Sequence, residues 1–306
     1  MSGGREWPEP HAPEMDPVEV AACETLEWLV PRALAEDVGS GDRTTLWTVP
    51  EDARAGARIV ARQELVVAGV AEAARVFLQV DPELNVDVDL GGGRPAARDD
   101  IILRVEGRAR SILTAERTAL NFLGHLSGVA TLTRQFAHQL ADTGARVVDT
   151  RKTTPGWRAL EKRAVRQGGG ANHRLGLYDM VLVKENHIEA AGGVGAALAA
   201  VAAADPEVPV EVEVTSRREL EEALSHPVDR ILLDNMPLAE MAEAVAAVRA
   251  GDPERPPLLE ASGNVSLETV REVAATGVDL VSVGALTHSA PAADVALDLA
   301  APGSRA

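Results

Sequence analysis

The chain has 306 residues, 46% of them apolar, a formal charge of −17 and one cysteine, Cys23. That length and apolar share suffice for a large α/β domain with a smaller companion. The lone cysteine excludes an internal disulfide and fits a reducing compartment, read here as the cytoplasm, with Cys23 expected as a small buried residue. The acidity disfavours nucleic acid as a partner, and no run is long and apolar enough to span a membrane.

In chain order, residues 1–17 are polar and proline-rich and read as a flexible tail without the apolar stretch of a secretory signal. VEVAACETLEWLVPRALAED then reads as an amphipathic helix and GSGDRTT as a turn-rich stretch. ARIVARQELVVAG, NVDVDLG and DIILRVEGRA read as strands, with VAEAARVFLQV between them as a helix. This loose alternation suggests an α+β sandwich. ILTAERTALNFLGHLSGVATLTRQFAHQLADTG keeps a helical period, with a break expected near Gly124 or Gly128.

After Gly144 the pattern changes. RVVDT, MVLV, VPVEVEV, RILL, PLLEA and LVSV are short β-branched runs, each ending in a polar cluster and followed by an Ala-rich helix. Such units make a parallel sheet through right-handed crossovers, closed either as a doubly wound open sheet or as a (β/α) barrel. Glu211 and Glu213 alternate on one face of a strand that is otherwise apolar. Helices on both faces of an open sheet leave no room for them, whereas the mouth of a barrel does. Six units are fewer than the eight of a full barrel, so an irregular, incomplete barrel is expected.

The positive charge is gathered in one place. From Thr150 to Lys184 there are eight Arg or Lys against two acids, and all three lysines of the chain lie here. Arg158, Lys162, Arg163 and Arg166 are spaced to line a helical face after Pro155-Gly156, and most of that charge reads as solvated. Arg151, Lys152 and Lys184 are different: they sit at strand ends beside apolar runs, where a cation is costly unless it meets an anion. Gly168-Gly169-Gly170 reads as a loop over the mouth, with His173 and Arg174 following it. Arg151, Lys152, Arg174 and Lys184 are therefore candidate anion ligands.

Carboxylates occupy strand ends as well: Glu213 and Asp234, with Glu211, Glu185 and Glu260 as further candidates. They could pair with those cations, hold a divalent metal or bind sugar hydroxyls. Mg²⁺ bridging to a pyrophosphate would suit a mouth that holds both signs of charge. Ser262-Gly263-Asn264 and Ser282-Val283-Gly284-Ala285 put small residues after the last two strands, where backbone N–H groups can reach a phosphate. The chain has no GxxxxGK[ST], no GxGxxG after a strand, no nucleophile elbow and no metal-spaced Cys/His set.

LAEDVGSGDRTT, NFLGHLSGVAT, DTRKTTPGWRALEKRAVRQGGGANHRLGLYDMVLVKENHI, VEVEVTS, ILLDNM, EASGNV and SVGALTHSA, in that order, resemble the quinolinate phosphoribosyltransferase family from about Leu26 to Leu299. The resemblance implies an N-terminal α/β (open-faced) sandwich domain over 18–127, joined by the segment 289–306, and a (β/α) barrel over 128–288. It implies phosphoribosyl transfer from phosphoribosyl pyrophosphate (PRPP) to quinolinate with decarboxylation, giving nicotinate mononucleotide, pyrophosphate and CO₂ with Mg²⁺. At matching positions Arg151, His173, Arg174 and Lys184 bind quinolinate. Arg117 joins them from the other subunit of a homodimer, and a larger assembly is left open.

Further along the match, Lys152 lies between the two substrates and is catalytic together with Glu213 and Asp234. Thr150, Lys152, Glu213 and Asp234 face the ribose and phosphates. Glu213 and Asp234 hold Mg²⁺ directly, through water or through the donor. Ser262, Gly263, Asn264, Val283, Gly284 and Ala285 take the 5′-phosphate. Three rivals compete: a protein of the same fold linked to molybdenum uptake, a transferase for plain nicotinate, and a non-catalytic barrel that senses a phosphosugar. A monocarboxylate needs fewer cations, and a plain anion trap gains nothing from carboxylates beside them.

Overall fold

The computed structural model describes residues 16–251 and 256–300. The tail expected over 1–17 lies outside them up to Met15, as does the end of the 289–306 segment from 301 onward. Helix α1 (Pro17–Val38) opens on Asp16, whose carboxylate accepts from Val18 N at 2.9 Å, with Pro17 in the first turn. Its buried residues Val18, Ala22, Leu26, Val30 and Leu34 recur every fourth position and form one face. Cys23 points about 100° away from that face and is exposed, contrary to expectation. The turn-rich stretch resolves into α2 (Arg43–Thr48), capped by Asp42 through Thr45 N at 3.0 Å.

There follow β1 (Arg54–Ala61), β2 (Leu65–Val66), α3 (Val70–Val80), β3 (Asn85–Val88), β4 (Pro95–Ala96), β5 (Ile101–Arg108) and α4 (Ala109–Gln139). β1 buries Ala55, Ala57 and Ile59 in alternation, and β5 does the same with Leu103 and Val105. These side chains share a core with Phe77 of α3 and with Ile112 and Ala119 of α4, while Arg54 and Arg108 on the strands stay exposed. Helices thus cover one face, and the sandwich is open. α4 runs unbroken for 31 residues, so neither expected break occurs. Its glycines serve a close approach instead. A Cβ on Gly128 would lie 2.1 Å from Pro291 O, and Gly124 O accepts from Ala293 N at 2.8 Å.

The second part comprises β6 (Arg146–Val148), α5 (Arg158–Gln167), β7 (Val181–Val183), α6 (Glu185–Ala191), α7 (Val194–Ala203), β8 (Val210–Val214), α8 (Arg217–Ala223), β9 (Arg230–Asp234), α9 (Leu238–Ala250), β10 (Leu258–Ser262), α10 (Val270–Ala275), β11 (Leu280–Ser282) and α11 (Ala285–His288). The six strands pair in parallel in the order β6-β11-β10-β9-β8-β7. No ladder joins β6 to β7 among the described residues; a single bridge, Val148 to Ala171, extends the β6 edge. The barrel is therefore incomplete. The last strand, β12 (Val295–Ala300), returns to pair antiparallel with β1, giving the N-terminal sheet the order β12-β1-β5-β3.

Two sequence expectations fail on α5. The helix is wedged against α1 and α4, so its charges are not a solvated face: Glu161, Lys162 and Arg163 are buried. Lys162 pairs with Asp149, and Arg163 with Glu72 and Glu19. Nor does Gly168-Gly169-Gly170 cover the mouth. A Cβ on Gly168 would stand 2.4 Å from Ala130 O, and Arg134 Nε donates to Gly168 O at 2.9 Å, so the triplet is pressed against α4. Contact requires glycine at 168 and 170, and a φ of 93° favours it at 169. Among the described residues no helix is long and apolar enough to cross a membrane.

Candidate active site

Residues opposite one another in a parallel ladder point to the same side. Glu211 stands opposite Leu182 and Arg230, Glu213 opposite Leu232, and Glu260 opposite Leu232 and Leu280. Ser262 is opposite Asp234. Glu211, Glu213, Arg230, Asp234, Glu260 and Ser262 therefore line one face, the inside of the curved sheet. The alternate residues Val212, Val214, Ile231, Leu233, Leu259 and Ala261 are buried on the other side.

Deepest lies a buried trio. His173 Nε2 is 2.9 Å from Glu211 Oε2 and 3.5 Å from Glu260 Oε2. Its Nδ1 accepts from Arg174 N at 2.7 Å, so the ring proton sits on Nε2, the nitrogen nearer the carboxylates. Nε2 makes no hydrogen bond, since the four oxygens of Glu211 and Glu260 are buried without a hydrogen-bond partner among the described residues. The trio's donor atoms lie within 4.8 Å of one another, as a metal site would need. While Nδ1 accepts from Arg174 N, however, Nε2 keeps its proton and offers a metal no lone pair. Burial first, then repulsion from Glu211, pushes the Glu260 carboxyl up to about 7, against the pull of His173 and Arg230.

The cations stand above. Arg174 is buried, with Nη1 donating to Met180 O at 3.1 Å. Burial and then the like charge of Arg151 lower its pKa, while Glu211 and Asp179 oppose the shift. A guanidinium stays charged in such a place, so the two arginines repel each other there, with Glu211 and Asp179 as counter-charges to Arg174. Arg151 Nε is buried without a hydrogen-bond partner among the described residues. Such an orphan donor is expensive unless something fills it.

Lys184 Nζ donates to Glu213 Oε2 at 2.5 Å, joining the ends of β7 and β8. Lys152 is exposed, and its Cδ would lie 3.1 Å from a Cβ on Gly284, so the β6 and β11 ends approach each other closely. Thr287 Oγ1 donates to Lys152 O at 2.8 Å, and Thr150 Oγ1 accepts from Lys152 N at 3.0 Å.

The turns after β9 and β10 form a second cradle. Asn235 and Asn264 hold φ of 51° and 47°, and Gly263 has φ of 109°. A Cβ on Gly263 would stand 2.2 Å from Asn235 Oδ1, so no other residue fits. Asn264 Nδ2 donates to Asn235 Oδ1 at 3.3 Å, and Asn235 Nδ2 to Asp234 Oδ2 at 2.8 Å. Among the described residues the backbone N–H groups of Gly263, Asn264, Gly284 and Ala285 donate to no other group. Val283 differs. Its side chain is buried and its N–H donates to Val148 O at 3.0 Å, so it offers a ligand nothing.

Two candidates stand apart. Glu185 is exposed in the first turn of α6. Arg117 is exposed on α4, where the neighbouring Thr114 and Thr118 turn toward Asp42 and Asp37, far along the chain from the strand ends. Asp149, Asn172 and the buried Lys162 escaped sequence reasoning. The usable signal was an Asp closing an apolar strand, thirteen residues before a lysine in a chain that has only three.

Glu213 and Asp234 offer a partial seat for Mg²⁺. Each carboxylate has one oxygen held by a neighbour and one without a partner among the described residues. Two half-free carboxylates fit an ion that keeps its waters and is shared with substrate phosphates; they do not form a closed cage.

The family model described as "Quinolinate phosphoribosyl transferase, C-terminal domain" matches residues 129–298, and that described as "Quinolinate phosphoribosyl transferase, N-terminal domain" matches residues 42–127. The chain belongs to the quinolinate phosphoribosyltransferase family. Nicotinate-nucleotide pyrophosphorylase (carboxylating) of Mycobacterium leprae is 45% identical over 280 residues, covering 88% of this chain and 95% of that protein. Quinolinate phosphoribosyltransferase (decarboxylating) 2a, mitochondrial, of Nicotiana tabacum is 40% identical over 294 residues, covering 90% of this chain and 82% of the relative. The solved nicotinate-nucleotide pyrophosphorylase of Francisella tularensis superposes with a TM-score of 0.86 at 37% identity, covering 94% of this chain and 98% of the other.

Proposed function

We infer that this chain is a decarboxylating quinolinate phosphoribosyltransferase, which converts quinolinate and PRPP to nicotinate mononucleotide, pyrophosphate and CO₂ in NAD biosynthesis. The observation that carries this reading is the pair Arg151 and Arg174, like charges held together at the mouth, one with an orphaned buried Nε. A vicinal dicarboxylate supplies two negative charges and the acceptors to fill that gap. Lys184 and Lys152 extend the positive field toward the donor.

Bringing two polyanions together costs on the order of 4 kcal/mol per unit-charge pair near 4 Å at an effective dielectric of about 20, and clustered cations offset it. The ring nitrogen attacks C1 of the ribose as the bond to pyrophosphate breaks, and positive charge develops at C1. Glu213 and Asp234 face that charge in this reading and stabilise it. Mg²⁺, when bound, neutralises the departing pyrophosphate. Loss of CO₂ then leaves its electron pair on the ring carbon beside the quaternised nitrogen, whose positive charge stabilises that carbanion until the carbon takes up a proton. The open N–H groups of Gly263, Asn264, Gly284 and Ala285 suit the 5′-phosphate, with Ser262 beside them. His173 serves as an anchor beneath Arg174 in this account, since its Nδ1 accepts from Arg174 N and its Nε2 lies against Glu211.

We further propose a homodimer in which Arg117 reaches the partner's mouth. Supporting it are Leu46 and Trp47 of α2, exposed next to α4; Trp47 is 79% exposed. The sole cysteine, unpaired, supports a reducing compartment, taken as the cytoplasm. The direct test is release of CO₂ from carboxyl-labelled quinolinate with PRPP present. The expected result is equimolar CO₂ and pyrophosphate, lost in Arg174→Ala through a raised quinolinate KM. Turnover of nicotinate but not quinolinate would sink the reading.

A further inference from the structure

We propose that Asp149, Lys162 and Asn172 are positioning residues, a buried brace that fixes the segments carrying Arg151 and Arg174 at one separation before any anion arrives. This rests on the activity inferred above. The two segments start side by side: Ala171 N donates to Val147 O at 2.9 Å and Asp149 N to Ala171 O at 3.2 Å. Beyond that point the backbone ladder stops, and side chains take over. Asp149 Oδ1 accepts from His173 N at 3.0 Å, and its Oδ2 accepts from Asn172 Nδ2 at 2.5 Å. Lys162 pairs with Asp149 and donates to His173 O at 3.0 Å. Asn172 Nδ2 also reaches Lys162 O at 2.8 Å. Arg151 follows Asp149 by two residues, and Arg174 follows Asn172 by two.

Stability alone does not account for this arrangement. Asp149 and Lys162 are both fully buried, and desolvation pulls the Lys162 amine down and pushes the Asp149 carboxyl up. A packed apolar pair would hold a core as well or better. What an apolar pair cannot do is grip both the N–H and the C=O of His173, the residue that precedes Arg174. The neighbouring Glu161 repeats the logic, accepting from Thr154 N at 3.0 Å in the loop that follows Lys152. α5 therefore fixes both cation-bearing segments from below. The brace holds the two segments together against the like charge of Arg151 on Arg174. Holding them in place lowers the ordering cost of binding the dianion.

The test uses the full-length enzyme with Asn172→Ala, Lys162→Met and, as control, Arg166→Met, whose half-exposed ion pair with Asp16 lies outside the brace. Steady-state KM values for quinolinate and PRPP, kcat and the thermal midpoint are measured for each. Asn172→Ala leaves the Lys162–Asp149 pair intact and is the variant that spares the fold. In both brace variants the quinolinate KM should rise about tenfold or more, with the PRPP KM within about twofold and kcat less affected than KM, while the control matches wild type. Parallel rises in both KM values, a lowered thermal midpoint alone, or failure of Asn172→Ala to fold would overturn the proposal, because each describes a stability element. An absence of quinolinate-dependent CO₂ from the wild type would instead remove the activity itself.

Discussion

Glu260 holds its proton to higher pH because it is buried beside a second carboxylate, Glu211, and the opposing pull of His173 and Arg230 does not cancel that. With its pKa near 7 in the fold and 4.5 as the reference, the native state binds more protons than the unfolded chain between those values. The stability from this group is complete below about pH 4.5 and is lost as pH rises through 7, by about 3 kcal/mol in all. Glu260→Gln should therefore flatten the fall in urea midpoint between pH 5 and pH 8. Identical slopes in wild type and variant would show that the proton is not there.

Residues at this scale divide by how local their signal is. Glu213, Asp234, Arg151 and Lys184 were legible because a charge ending an apolar strand has few places to go. The engagement of His173 depends on Glu211 and Glu260, far away in sequence and joined to it only by barrel closure. Lys162 was grouped with a mostly solvated helical face for the same reason: helical spacing reveals a face, but not that α1 and α4 cover it.

Elements were legible where the period was clean. α3 spans Val70–Val80, the segment read as a helix, and the six parallel strands match the runs read as strands, with β9 and β10 each running one residue further, to Asp234 and Ser262. The failures share one cause: a glycine in sequence looks the same whether it frees the backbone or lets another chain segment touch it. Gly168 and Gly128 are of the second kind. In α4, Ala would improve helix propensity at either glycine by about 1 kcal/mol. A Cβ on Gly124 would meet Ala293 O at 3.1 Å, a contact that small shifts relieve, whereas Gly128 faces Pro291 O at 2.1 Å with backbone behind it. Gly124→Ala should thus stay within about 1 kcal/mol of wild type, and Gly128→Ala should lose about 1–3 kcal/mol through overpacking. Equal midpoints for the two in thermal melts would mean that the 291–293 segment is not seated on the helix.

For the whole molecule, an open barrel raises a question of supply. The described chain brings Arg151, Arg174, Lys184 and Lys152 to the mouth but leaves Arg117 exposed on α4, beside an apolar patch containing Leu46 and Trp47. If two copies pair through such a patch, each mouth takes its lysine from one chain and Arg117 from the other. Arg117→Ala and Lys152→Ala homodimers would then both be inactive, for different reasons. A mixed dimer carries one mouth with both defects and one with neither. Since half of a random mixture is mixed dimer and half its mouths are intact, about a quarter of wild-type activity should return on co-refolding equal amounts. A self-contained site would give no recovery at any ratio, whatever the oligomeric state, because every mouth would then carry the defect of its own chain.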